Sequence, residues 1–460
     1  MGPTLPQETL EEIIDFLYDD RTSLLACSLA SPKFVPVSRY HLFSSTTITA
    51  AKICTLLNLL DAPWCSISNI ISRLVVAGSG PPIWQLNPQW VKRSCGQARV
   101  QYIPRNFGTL LQRLQSVVAV SLANICSIDV PETFWRLLSE MKNIKAMEAH
   151  RIAFDGCPLP FFGYISSLPL LESFSISWPT MTLNATALAA LQERIVGEEG
   201  EKVQLVGSGA GSGFRLPVLD IRRAVQIPGT DRDLRASTVA GIAILEWLLV
   251  QKMIPSVGLL RMNLDYEPGL VEVLSRYFET AGSQVEKLFV VLPSSVSALQ
   301  DMVPIDFNQL TRLRSLHIDG FFMSHASNGD SLEDFFRGFL AQLFSSSHSS
   351  AATIQRISIA LTIDMTEDYS FYGVPEYAVL QQFTWCSLPS ILEKVLGPCS
   401  EALETIEVQL RVRSPGTAAN HTSFVEQTLR RGVWKQFSER GCLRIVFLSG
   451  HERDEESSWM

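Results

Sequence analysis

Histidines, cysteines and glycine-rich turns are where this sequence could carry out chemistry, and each pattern stops short of a site. The run Gly207-Ser-Gly-Ala-Gly-Ser-Gly213 has its glycines in strict alternation. It fits neither GxGxxG nor GxxxxGKS/T, the spacings that wrap backbone N–H groups around phosphates, so it reads as a linker. No GxSxG elbow exposes a nucleophile, since Ser208 and Ser212 have glycines as immediate neighbours. His451-Glu452 begins like HExxH, but the second histidine of that zinc motif is missing. His150, His317 and His325 fall near expected strand ends with no paired carboxylate evident for acid–base work. The nine cysteines form no CxxC pair, and with seven histidines they make no cluster at zinc spacing. No catalytic residue, metal or cofactor is expected.

Side chains that could instead grip a protein alternate with apolar ones. The pattern apolar-x-x-apolar-x-apolar occurs at Val117/Val120/Leu122, Ile144/Met147/Ala149 and Leu171/Phe174/Ile176, each 27 residues after the last. It returns at Val257/Leu260/Met262, Val285/Leu288/Val290 and Leu313/Leu316/Ile318, now 28 apart. Weaker or wider-spaced copies are Ile71/Leu74/Val76, Leu216/Leu219/Ile221, Ile354/Ile357/Ile359, Leu403/Ile406/Val408 and Cys442/Ile445/Phe447. In a strand, the residue between two core positions points to the opposite face. That places Glu148, His150, Ser175, Ser177, Arg261, Asn263, His317, Asp319, Glu407, Gln409 and Arg411 on an open face. His150, Ser177, Arg261, Asn263, His317, Asp319, Glu407 and Gln409 are the expected substrate contacts. Their charges are mixed, without the grouped Arg and Lys that select phosphate. Trp178 is a further possible aromatic anchor, or simply core.

The elements that must position these residues are strands alternating with helices. Helix-like segments fill the intervals at Val130–Glu140, Pro160–Leu168, Glu267–Thr280, Asp330–Phe344, Glu376–Leu396 and Ser423–Glu439. One strand–helix unit of this length cannot bury its own apolar face, whereas stacked copies can, with strands in parallel on one side and helices on the other. The expected fold is therefore α/β: an irregular leucine-rich-repeat-like solenoid with a parallel sheet over residues 46–450. A doubly wound α/β domain is the competing architecture, with similar alternation but no fixed interval. The Asn or Cys that such repeats carry after the strand is replaced by Pro179, Asp265, Pro293 and Phe321. The turn hydrogen bonds must then find other partners. Insertions are expected near 77–106, 178–215, 345–352, 365–375 and 414–422, and an acidic tail over 451–460.

With 46% hydrophobic and 18% charged residues, the chain reads as folded. A net charge of −8 with dispersed acids excludes the basic footprint of a nucleic-acid partner. The stretch Ala236–Gln251 is too short to span a bilayer and contains Glu246, so it reads as a buried helix and no membrane partner is expected. Glu8, Glu11 and Glu12 stand where a signal peptide would be basic. An odd cysteine count fits a reducing compartment, cytoplasmic and/or nuclear.

The first residues raise a different problem. Leu10, Ile13, Ile14 and Leu17 make the stripe of an amphipathic helix that opens at Pro6 and ends at Asp19-Asp20. A second helix follows, capped by Thr22 or Ser23 and built on Leu24, Leu25, Cys27 and Leu29. A third runs from Pro32 to about Phe43. Three helices in about 40 residues sit at the lower limit for independent folding, so their apolar surface needs cover from the rest of the chain or from another protein.

The segment LPQETLEEIIDFLYDD–RTSLLACSLASPKFVPVSRYHLF resembles an F-box, in the form common in large fungal F-box families. The matching positions are Leu5, Pro6, Glu8, Leu10, Ile13, Ile14, Leu17, Leu24, Cys27, Leu29, Arg39, Leu42 and Phe43; Phe34 departs by standing where most members have Trp. The Ala-Ser-Pro-Lys run before Phe34 also departs from the usual Val-Ser-x-x. The resemblance implies an F-box over 1–45 that docks onto a Skp-type adaptor and, through it, a cullin. It implies adaptor contacts at Leu5, Pro6, Glu8, Ile13, Leu17, Leu24, Leu29 and Phe34. The expected function is then the substrate-receptor subunit of an SCF-type (Skp–cullin–F-box) ubiquitin ligase, with an unknown protein substrate on the repeat region and no chemistry of its own. Two alternatives stand beside it: a repeat scaffold whose degenerate F-box meets no ligase, and an unrecognised α/β enzyme.

Overall fold

A computed structural model describes residues 5–63, 65–78, 106–126, 132–154, 158–177, 180–181, 216–222, 241–249, 257–264, 268–292, 307, 309–323, 353–364, 392, 403–413, 426, 430 and 434–448. The chain forms two compact units, Met1–Leu216 with Arg223–Ala240 and Pro217–Arg222 with Gly241–Met460. The N-terminal helices belong to the first, and the region expected as one array is shared between both. The expected insertions lie almost wholly outside the described residues. The acidic tail, the Gly207–Gly213 run, Trp178, His325, His451 and Glu452 lie wholly outside, as does the expected helix Asp330–Phe344.

The first unit begins with α1 (Gln7–Asp15), α2 (Arg21–Ala30) and α3 (Val35–Phe43). The boundaries differ from expectation for local reasons. Asp20, not Thr22 or Ser23, caps α2: its carboxylate accepts the backbone N–H groups of Thr22 at 3.1 Å and Ser23 at 3.0 Å. These are donors that a helix start leaves without partners. The Ser23 hydroxyl donates to the same carboxylate, and this bond, followed by the backbone ones, holds the Asp20 pKa below its ordinary value. Residues 16–19 and 32–34 form turns, so α1 ends early and α3 starts late.

Strands β1 (Ser45–Ile48), β2 (Arg73–Ala77), β3 (Ala119–Cys126), β4 (Ala146–Phe154) and β5 (Ser173–Ser177) then pair in parallel, each with the next in the chain. The two-residue β6 (Thr180–Met181) pairs with the end of β4. Between the strands lie α4 (Ile53–Leu60), α5 (Phe107–Arg113), α6 (Glu132–Ser139) and α7 (Leu159–Ser166). Aromatic contacts run from helix to helix and on to the sheet. Phe107 stacks on Phe134 at 5.2 Å, Trp135 meets Phe161 edge-on at 5.3 Å, and Phe161 lies 6.0 Å from Phe174 of β5.

The second unit repeats the plan. Strands β7 (Val218–Arg222), β8 (Leu259–Asn263), β9 (Lys287–Val291), β10 (Ser315–Met323), β11 (Arg356–Asp364), β12 (Thr405–Arg413) and β13 (Leu443–Leu448) are parallel and neighbour one another in chain order. Its described helices are α8 (241–249), α9 (Pro268–Ala281) and α10 (Lys435–Glu439). The expected buried helix is α8, whose Glu246 makes an ion pair with Arg276 of α9.

All eleven apolar triplets land on strands, with the first member just ahead of the strand and the other two on its core face. Most are buried, while Val76, Ile445 and Phe447 are half-buried. The backbone shows the repetition independently of side chains. In the first unit the Ser44 carbonyl accepts the N–H groups of Ser72 and Arg73, Ser72 those of Val118 and Ala119, Val118 those of Lys145 and Ala146, and Lys145 those of Glu172 and Ser173, all at 2.7–3.1 Å. In the second, Pro217, Gly258, Glu286, Arg314 and Gln355 form the same rungs at 2.8–3.1 Å. At the strand exits, Gly78, Leu264 and Leu292 donate to the carbonyls of Ala123, Val291 and Asp319, each at 2.8 Å. The backbone thus supplies turn bonds where the sequence offers no asparagine.

Candidate interaction sites

Two surfaces gather the residues singled out by sequence. On α1–α3, Ile14, Leu24 and Leu42 form a small buried core, with Leu17, Phe34, Val37 and Phe43 packed half-buried around it. Asp15 and His41 pair at 2.7 Å and tie α1 to α3, while Gln7 Nε2 donates to the Lys33 carbonyl at 3.2 Å. The expected adaptor contacts therefore divide. Leu5, Pro6, Glu8, Ile13 and Leu29 lie on the surface, Leu17 and Phe34 lean on the core, and Leu24 is fully buried. Leu24 is a correction: it holds the helices together and offers no surface to a partner.

The structure adds apolar residues that sequence reading left out of the partner set. Phe16 is 84% exposed and Leu29 87%, and Tyr18, Leu25 and Tyr40 are also exposed. Leu24 and Leu25 are adjacent on α2, about 100° apart around its axis, so a core small enough to take one leaves the other outside. Leu25 then shares a stripe with Leu29, and Ile13 with Phe16. Of nine exposed large hydrophobic side chains among the described residues, seven lie within residues 5–40.

The second surface is the sheet face opposite the core. In the second unit, register puts Asp220, Arg261, Phe289, His317, Ser358, Glu407 and Arg444 in one row across all seven strands. The Arg261 guanidinium lies 3.9 Å from the Phe289 ring centroid, and His317 stacks on the same ring at 3.8 Å. Arg261 Nε is also 3.8 Å from the Asp220 carboxylate. Two strand steps away, Arg411 Nη1 donates to both oxygens of Asp319 at 3.0 and 3.1 Å. Glu407 accepts from Arg356 at 2.9 Å and Gln409 at 2.7 Å, and Arg444 stands 3.4 Å away.

These contacts change the expected picture of an open, solvated face. His317, Asp319, Glu407 and Gln409 are buried, because arginines and an aromatic ring from neighbouring strands fold over them. Arg261 and Asn263 are half-buried. In the first unit, His150 Nδ1 and Ser177 Oγ are 2.6 Å apart, and Glu148 is paired with Arg73. Sequence reading missed Asp220, Phe289, Arg356, Ser358 and Arg444. Asp220, Arg356, Ser358 and Arg444 each occupy an alternate position next to a triplet, and that spacing would have found them.

The His317 environment sets a pH dependence. Burial foremost, then the charges of Arg261, Arg411 and Arg356, push its pKa down to about 3. An unfolded imidazole titrates near 6.5, so below that pH the unfolded chain binds a proton that the folded one refuses. Stability from the neutral ring is thus complete above about pH 6.5 and drains as pH falls toward about 3. Between about pH 7 and about pH 5 this amounts to roughly 2 kcal/mol. Urea unfolding across that range should show the loss in the native chain and a shallower dependence in His317→Phe. Parallel curves would rule the assignment out.

Among the described residues no group of His, Cys, Asp or Glu is placed to hold a metal ion, and no helix is long and apolar enough to cross a membrane. No protein-family model matches the chain, and no curated protein matches it.

Proposed function

We propose that this chain is the substrate-receptor subunit of an SCF-type ubiquitin ligase, with α1–α3 serving as an F-box and the strand–helix units as a leucine-rich-repeat-like array. The observation that carries the reading is the concentration of exposed apolar side chains within residues 5–40. Elsewhere the described surface is nearly free of them, and a clustered apolar surface on a soluble fold marks a protein interface. The helices already have a core, so these side chains are spare. Burying them under a Skp-type adaptor would contribute about 25 cal/mol for each Å² removed from water. The repeat region would present an unknown protein. The chain then performs no bond chemistry: bridging raises the local concentration of substrate at the ligase and orients it.

Co-expression of the full chain with a Skp-type adaptor tests this. A stable complex is expected, and Ile13→Glu with Leu29→Glu should weaken it at least about tenfold, because each charge would have to be desolvated inside the interface. Both positions face solvent, so the variant should fold as the native chain does. Changing Leu5 and Pro6 to Ala probes the motif's opening in the same assay. Failure of the intact, folded chain to bind, or a complex indifferent to these changes, would favour a scaffold that meets no ligase.

A further inference from the structure

The polar face of the second unit holds a carboxylate shared between two arginines. At its β11–β13 end, Glu407 is buried and takes two guanidinium groups, Arg356 at 2.9 Å and Arg444 at 3.4 Å. Arg411 beside them is held by Asp319 at 3.0 Å. Glu407 is thus shared by two guanidinium groups, of which Arg444 is the more distant and the more exposed. The Arg444 side chain is 65% exposed and stands on β13, the last strand of the sheet order. A guanidinium has five donors in a planar fork, and a single carboxylate 3.4 Å away leaves most of that fork facing solvent. Two of these charges are also felt inside the face, where Arg411 and Arg356 join burial and Arg261 in keeping His317 neutral.

From this geometry we propose that the Arg411–Arg444 end of the face receives an acidic segment of the partner protein, through the carboxylates of its Asp or Glu side chains. Guanidinium forks match carboxylates bidentately, and such charge-assisted bonds are the strong ones. The single exposed guanidinium of Arg444 matches the single charge of a carboxylate; the second charge of a phosphoryl group has no counterpart on it. The chain's overall charge of −8 opposes an acidic partner at long range. Screening confines that opposition to about 8 Å at physiological salt, so contact at the arginines decides. The proposal names the partner class that the receptor reading leaves open and rests on that reading for calling the partner a substrate. Its test needs no adaptor, so the two can fail separately.

The test is fluorescence anisotropy of the full chain with a short labelled Glu-rich peptide, its Gln counterpart, and a neutral peptide carrying one phosphoserine. The Glu peptide should bind, the Gln peptide should not, and Arg444→Ala should weaken binding about tenfold. Arg444 is exposed enough for that variant to keep the native fold, which its unfolding curve checks. Equal binding of the Glu and Gln peptides, or indifference to Arg444→Ala, overturns the proposal. So does preference for the phosphoserine peptide. Binding that emerges only after removal of residues 451–460 also overturns it, since Glu452, Asp454, Glu455 and Glu456 would then be the occupants.

Discussion

Leu24→Ala should unfasten the three N-terminal helices, while Leu29→Ala, five residues along the same helix, should leave them intact. Leu24 is fully buried with Ile14 and Leu42, whereas Leu29 is 87% exposed. Deleting a buried leucine costs the transfer free energy of the lost carbons plus a term for the cavity, about 3 kcal/mol. In a large core that loss is diluted. Here it falls on a core of only three buried side chains, so little surrounding packing is left to make up the loss. Hydrogen exchange at the α1–α3 amides should therefore lose protection in Leu24→Ala and keep it in Leu29→Ala. On the receptor reading proposed above, both should lose adaptor binding, the first because the surface comes apart, the second because a proposed contact side chain is truncated, by about tenfold. Loss of protection in Leu29→Ala would mean that this side chain is structural and that the exposed surface has been misassigned.

The same contrast explains what the sequence could and could not tell. Periodicity places Leu24 and Leu29 on a helix, but it does not say which of several leucines a small core will accept. Strands were far more legible, because an inward pair such as Leu260/Met262 preceded by Val257 recurs at a near-constant interval and is held to one face by the period of two. Besides the two-residue β6, only β1 among the described strands lacks a triplet, and it escaped for one residue: Phe43, Thr46 and Ile48 have the spacing, but Thr46 breaks the apolar pattern. The polar face was legible only as a list of positions. That Arg261, Phe289 and His317 stack follows from register between strands 28 residues apart, and that Arg411 reaches Asp319 follows from a pairing 92 residues apart. Charge counting along the chain spreads these arginines among their acids, whereas folding collects them on one side of one sheet. Burial of Glu407 and Asp319 is the outcome, since a carboxylate flanked by guanidinium groups can leave water where a lone one cannot.

That collected face depends on one backbone irregularity, and Gly320→Ala should expose it. Between β10 and β11 the register runs Ile318↔Ile359 and then Phe321↔Leu361, so Asp319 and Gly320 together oppose Ala360 alone. This is a β-bulge, a device that re-aims a side chain. Gly320 sits at φ +95°, where side chains are strained, and a Cβ there would run into the Leu292 carbonyl oxygen and lie 2.9 Å from its nitrogen. Neither neighbour can swing aside, because Leu292 N–H is bonded to the Asp319 carbonyl at 2.8 Å. The bulge also turns Gly320 N–H onto Asp319 Oδ1 at 2.6 Å, fixing the carboxylate that Arg411 grips. Gly441 is the built-in control: its φ is +74°, but nothing lies within 4 Å of an added Cβ. Backbone strain alone should cost Gly441→Ala about 1 kcal/mol, whereas strain and collision together should cost Gly320→Ala about 3 kcal/mol. Denaturant midpoints of the two variants measure the difference. In Gly320→Ala the Asp319–Arg411 pair should also loosen, shifting Glu-peptide binding together with stability, while Gly441→Ala should leave peptide binding unchanged. Equal, mild losses in both variants would mean that β10 straightens at little cost and that the bulge does not set the geometry of the charged face.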